Sequence, residues 1–174
     1  MLFLTRWLRT RDHLLLTPII NMDQARWAMR QALAVAHRAS ILYQEVPVGA
    51  LLLRGETIVA AAANACRRRH VLAHAELRVL QRGLQRISAA YLQDCTLVVT
   101  LEPCLLCVGA LLRTRVRHVI FGASDPRQGA LWRIWRQPPS GQPLPLVTAG
   151  VCEKSSRRLL KRFFAQLRAH KSST

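Results

Sequence analysis

Acidic residues are scarce in this sequence: nine Asp and Glu stand against 26 Lys and Arg, a formal charge of +17. An excess of that size goes beyond what solubility asks for and points to a polyanionic partner, nucleic acid before others. A GC-rich genome writing Arg where other polar residues would serve produces the same composition, so the charge stands as one of two readings. Long apolar runs are also lacking. Although 51% of residues are hydrophobic, no stretch approaches the roughly 18 uninterrupted apolar residues that a membrane span needs, and a soluble protein is expected. A disulfide framework is excluded on count and spacing: the five cysteines are an odd number with one tight pair, Cys104 and Cys107. That usage reads as metal binding in a reducing, cytoplasmic compartment. With 174 residues the chain is long enough to bury the core of one ordinary domain.

Residues 1–21 are short apolar clusters broken by Arg6, Arg9 and Arg11. They lack the small-residue cleavage site of a secretory signal and read as an extension ahead of a start at Met22, or as a weak targeting segment. The domain is expected over residues 22–169, with a polar tail at 170–174. Within it, Ala25, Met29, Leu33 and Ala36 recur at helical spacing from Met22 to about Ser40. Val46–Leu53 and Thr57–Ala62 are β-prone runs joined by Arg54-Gly55-Glu56, a hairpin pattern. A second helix is expected over Ala73–Ile87 with an inner stripe of Leu77, Leu80, Leu84 and Ile87. Strand Cys95–Thr100, helix Cys104–Arg113, strand His118–Phe121, a loop over Pro138–Pro145, strand Leu146–Thr148 and a basic helix Ser155–Ala169 follow. Such alternation implies an α/β domain with helices covering a central sheet.

His74-Ala75-Glu76 opens the second helix, and Pro103-Cys104-Leu105-Leu106-Cys107 opens the third. Cysteines at i and i+3 of a helix lie on one face, so both thiolates can reach one Zn²⁺, with an imidazole as third ligand. Three protein ligands leave a fourth position open to water, and zinc lowers the pKa of that water from about 15.7 to roughly 7. Glu76 lies two residues beyond His74, and such residues do not share a helix side. Both can serve one site only if the helix points at it end-on. A carboxylate beside the metal but not bound to it suits a proton shuttle between water, a ring nitrogen and a leaving amine.

H-x-E with P-C-x-x-C is the signature of the zinc-dependent nucleobase deaminases. Beyond it, Glu45-Val46-Pro47-Val48-Gly49-Ala50, Asn64, Val99-Thr100-Leu101-Glu102-Pro103-Cys104 and Phe121-Gly122-Ala123-Ser124-Asp125 occur in that order. From about Met22 to Arg168 the chain thus resembles the bacterial tRNA-specific adenosine deaminases. The resemblance implies a cytidine-deaminase-like fold, a three-layer α/β/α sandwich around a mixed sheet of about five strands. It further implies a homodimer that hydrolyses adenosine to inosine at the wobble position of a tRNA anticodon stem-loop. On the same basis His74, Cys104 and Cys107 hold one Zn²⁺ per subunit, Glu76 is the proton donor and Asn64 binds nucleoside. Asn64 is equally readable as a turn residue at the hairpin's end.

The chain departs from that family in places. It approaches its histidine through His70-Val71-Leu72-Ala73 rather than the usual Asp-Pro-Thr-Ala, and carries Arg157, Arg158, Lys161 and Arg162 on a final helix that is more acidic in the family. Arg67, Arg68 and Arg69 read as a phosphate-contacting loop or as a solvated charge run. Leu131-Trp132-Arg133-Ile134-Trp135-Arg136 replaces small residues. Its indoles and guanidiniums suit base stacking and phosphate neutralisation, or packing on the core or on a dimer partner. Competing functions are a nucleoside or free-base deaminase, a single-stranded DNA deaminase, and a non-catalytic RNA-binding zinc subunit. Retention of Glu76 counts against the last.

Overall fold

Helix α1 (Met22–Tyr43) begins where Asn21 and Gln24 exchange side chain-to-backbone hydrogen bonds, each 2.9 Å, in a capping box. The structure, a computed structural model, describes residues 20–137, 139, 141 and 143–171. Most of the expected extension, and residues 172–174 of the expected tail, lie outside these. Two residues assigned to the extension engage the domain: Asn21 caps α1, and Ile20 is buried against it. The inner face of α1 is Ala25, Ala28, Met29, Ala32, Ala36 and Ala39. Small side chains let the sheet come close. At Gly49 a Cβ would fall 2.2 Å from the Ala32 carbonyl oxygen, so only glycine fits that crossing.

Strands β1 (Gly49–Arg54) and β2 (Thr57–Ala63) form the expected hairpin, turning at Gly55 with φ of 58°. The chain continues through α2 (Ala75–Ile87), β3 (Cys95–Leu101), α3 (Leu105–Thr114), β4 (His118–Ala123), α4 (Leu131–Arg136), β5 (Leu146–Thr148) and α5 (Glu153–Lys171). The five-stranded sheet has the order β2-β1-β3-β4-β5. β1 runs antiparallel to both neighbours, while β3, β4 and β5 are parallel. Because side chains alternate along a strand, the central strands feed two cores. Leu52, Leu97, Val99, Val119 and Phe121 meet α2 and α3 on one face; Leu51, Leu53, Val98 and Ile120 meet α1 on the other. This is the expected three-layer α/β/α arrangement.

Three details differ from the sequence reading. Residues 46–48 precede β1 rather than belonging to it, since Pro47 cannot donate to a ladder. The buried stripe of α2 is Ala75, Glu76, Val79, Leu80 and Gly83, rotated from the expected one; Leu84 and Ile87 pack only partly, and Leu77 is half-exposed. Gly83 lies on that stripe because Leu52 occupies the space of a Cβ, 2.2 Å away. Helix α4 was not expected at all.

The edge strand β2 is closed by its own chain. Arg78, Arg82 and Arg86, one helical turn apart on α2, donate to the carbonyls of Ala63, Ala61 and Val59, the last two at 2.5 and 2.7 Å. An open edge is a template for pairing with another chain. Part of the positive charge is therefore structural.

Candidate active site

The candidate site residues His74, Glu76, Cys104 and Cys107 sit at helix N-termini. His74 is the N-cap of α2 and Cys104 the N-cap of α3, both in extended conformation, so Glu76 and Cys107 fall in the first turns. The end-on geometry that His74 and Glu76 require is the one found. His74 Nδ1 lies 3.5 Å from Cys107 Sγ and 3.7 Å from Cys104 Sγ, and the two sulfurs are 3.7 Å apart. Tetrahedral zinc with Zn–S of about 2.3 Å and Zn–N of about 2.0–2.1 Å places sulfurs about 3.8 Å from each other and about 3.6 Å from the nitrogen. The donor set and spacing fit that ion without movement. No other group of three or more such ligands close enough to share an ion occurs among the described residues.

The thiols are unequal. Hydrogen bonds from Cys107 and from His74 hold the Cys104 thiol down at about 4, while bonding to Cys104 and burial push Cys107 up. The Cys104 contact raises His74, whose ring also bonds the Val71 backbone. Such an outer contact orients a ligating imidazole.

Glu76 is 4% exposed. Burial raises its carboxyl above the usual carboxylate range, opposed by its own backbone N–H, and its side chain meets the Cys107 thiol. Asn64 Oδ1 accepts the Ala75 N–H at 2.9 Å. Its oxygen is thus committed to the first turn of α2, leaving the Nδ2 amide as the part that can face a ligand.

Among the described residues three acidic side chains are buried, namely Glu45, Glu76 and Glu102. All serve the segments that build the site. The Glu45 carboxylate accepts the backbone N–H groups of Arg67 and Arg68 at 3.0–3.2 Å, fixing the loop that leads to His74. Glu102 accepts the Asp125 N–H at 3.1 Å and a backbone bond from Leu131, fastening the turn after β4 to the segment that ends in Cys104. Neither role was read from the sequence. The available signal was a carboxylate within an apolar stretch of an acid-poor chain, Glu45 before Val46-Pro47-Val48 and Glu102 between Leu101 and Pro103.

Two of the loop arginines are engaged by the protein. Arg67 Nη1 donates to the Gln44 carbonyl at 3.0 Å, and the Arg68 guanidinium lies 3.7 Å from the Tyr43 ring centre. All five cysteines are unpaired. No helix among the described residues is long and apolar enough to cross a membrane.

Residues 22–123 match the cytidine and deoxycytidylate deaminase zinc-binding region. The chain belongs to this family of zinc-binding deaminases. Within it, the chain is 34% identical to the Bacillus subtilis tRNA-specific adenosine deaminase over 156 residues, 87% of this chain and 96% of that protein. It is 42% identical over 150 residues to the tRNA(Ile)-lysidine synthase of Deinococcus deserti, 81% of this chain but 27% of that protein. The chain thus spans about a quarter of the lysidine synthases it matches in two Deinococcus species. A solved structure from a study of A-to-I editing by tRNA:A34 deaminases at the wobble position of transfer RNA superposes with a TM-score of 0.72 and 34% identity. That match covers 77% of this chain and 99% of the other.

Proposed function

We propose that this chain deaminates adenosine to inosine in RNA, at the wobble position of a tRNA anticodon, as a cytoplasmic homodimer. The observation that carries this reading is a buried Glu76 against the His74–Cys104–Cys107 cluster in a chain that aligns along nearly the whole length of a tRNA-specific adenosine deaminase. His74, Cys104 and Cys107 hold the zinc, which supplies Lewis acidity and makes hydroxide available near neutral pH.

Hydrolytic deamination forms a C–O bond at C6 of the purine, breaks the C6–N bond and releases ammonia. Water's protons must reach the ring nitrogen and the departing amine. Glu76 is the group placed to move them, and a carboxyl raised by burial both accepts and returns a proton more readily near neutral pH than an exposed one. Its burial and its place in the first turn of α2 hold it beside the reacting centre. Asn64 orients the base through Nδ2, its oxygen being anchored on α2.

The positive charge that the fold does not itself use, such as Arg133 and Arg136 on the surface, supports an RNA substrate, as do relatives named for two different tRNA enzymes. The dimer reading is supported by apolar side chains that this chain leaves uncovered beside the ligands: Val71 and Leu72 before His74, and Leu105 and Leu106 between the cysteines. Mass spectrometry of nucleosides after incubation with an RNA hairpin presenting adenosine in its loop tests the activity. Inosine is expected from the hairpin, with binding that weakens steeply as salt rises. Equal turnover of free cytidine would replace this reading with that of a nucleoside deaminase.

A further inference from the structure

Helix α4 is too short to stand by itself, yet it is tied to the ligand segment at several points. Cys104 pairs with Gly129 in an isolated antiparallel bridge, and Ala130 N–H donates to the Pro103 carbonyl at 3.0 Å. Glu102 adds its bonds to Asp125 and Leu131, and packs so closely that a Cβ at Gly129 would lie 2.5 Å from its carboxylate. Leu131 is buried and Ile134 packs on the core, which uses one side of the helix. Trp132 and Trp135, three residues apart, share another side and remain 48% and 43% exposed. Arg133 and Arg136 between and after them are exposed too.

Packing on this chain's core therefore leaves close to half of each indole uncovered. Exposed apolar groups rimmed by charge mark an interaction surface, and guanidiniums interleaved with indoles favour a polyanion that also has flat π faces. We propose that Trp132 and Trp135 stack the nucleotides flanking the base that enters the site, with Arg133 and Arg136 on their phosphates. This rests on the RNA reading above and adds to it the surface that holds the rest of the loop. The tethers to Pro103 and Cys104 matter because they fix the platform relative to the metal ligands, so that binding at one registers the substrate at the other. Single-stranded nucleic acid is held elsewhere by the same pairing of aromatic faces with a basic track.

The test uses the full chain with zinc bound and an RNA hairpin carrying adenosine in its loop. W132A and W135A should each raise Kd and KM for the hairpin by at least about fivefold, the lower end of what loss of one stacked base costs. The loss should fall mainly on KM rather than kcat, zinc content should not change, and W132F and W135F should recover most of the affinity. Tryptophan fluorescence of the unaltered protein should be quenched on titration with the hairpin. Hairpin binding by the alanine variants indistinguishable from the unaltered protein overturns the platform while leaving the RNA reading intact. A change in oligomeric state by sedimentation, with affinity restored once the dimer is reformed at higher concentration, overturns it in favour of a subunit contact. Failure of the unaltered protein to bind or deaminate the hairpin removes both readings together.

Discussion

Replacing His118 by Gln isolates one buried titration from the rest of the molecule. His118 opens β4, is 2% exposed and has its Nε2 2.8 Å from Thr148 Oγ1, a link between β4 and β5. Its Nδ1 has no partner. Burial, with a smaller contribution from the neighbouring Arg117 charge, lowers its pKa from 6.5 to about 4. Above about pH 6.5 the ring is neutral in folded and unfolded chains alike. As pH falls below that value only the unfolded chain takes up the proton, so stability declines. The decline stops near pH 4, where the folded chain takes it up as well. At 1.36 kcal/mol per pH unit the full loss is about 3 kcal/mol, of which about 2 kcal/mol has accrued by pH 5. Urea unfolding of the unaltered protein and of H118Q at pH 7.5 and pH 5 measures it. Other groups titrate in both proteins and cancel in the difference. The unaltered protein should lose about 2 kcal/mol more than H118Q over that interval, whatever the variant's own stability. Equal losses would refute the assignment of a buried neutral imidazole.

Cys104→Ser should lose most of its zinc by metal analysis, while Cys66, Cys95 and Cys152, which lie apart from the cluster, can be changed with zinc retained; a C104S protein at full occupancy would remove Cys104 from the ligand set. Glu76→Gln should keep fold and zinc but lose at least about 100-fold in kcat, the usual contribution of a positioned acid-base group, and activity within about tenfold would take Glu76 out of the mechanism. A chain beginning at Met22 should be less stable than one beginning at Ile20 by roughly 2–4 kcal/mol, the sum of a helix cap and one buried side chain. Identical denaturation curves for the two lengths would show that the capping box and Ile20 contribute nothing.

The expected domain start shows why boundaries are harder to read than elements. Periodicity identified α1 from its apolar spacing, but Asn21 acts through a hydrogen bond to Gln24 and Ile20 through a core that β1, β3 and β4 complete. A pattern search sees neither. Helix α4 escaped for a related reason: six residues without a capping side chain carry little helical signal. What holds it is the Glu102–Pro103–Cys104 segment, distant in sequence. The same applies to Arg78, Arg82 and Arg86: a four-residue spacing puts them on one helix face, but the β2 carbonyls they close are brought there only by the fold.

By itself the sequence determined the candidate site and the order of elements: two cysteines three apart after a proline, a histidine two before a glutamate, and the alternation of helices with strands. These are local properties, because ligand spacing on a helix and the period of a strand follow from backbone geometry alone. Only the tertiary structure decided which side chains meet across the molecule. It brought His74 to the cysteines across 30 and 33 residues, turned Glu45 and Glu102 into anchors for the site's loops, and left two tryptophans beside it facing outward. Those outcomes depend on how two apolar layers close on one sheet, and burial of that kind is a property of the assembled layers rather than of any segment.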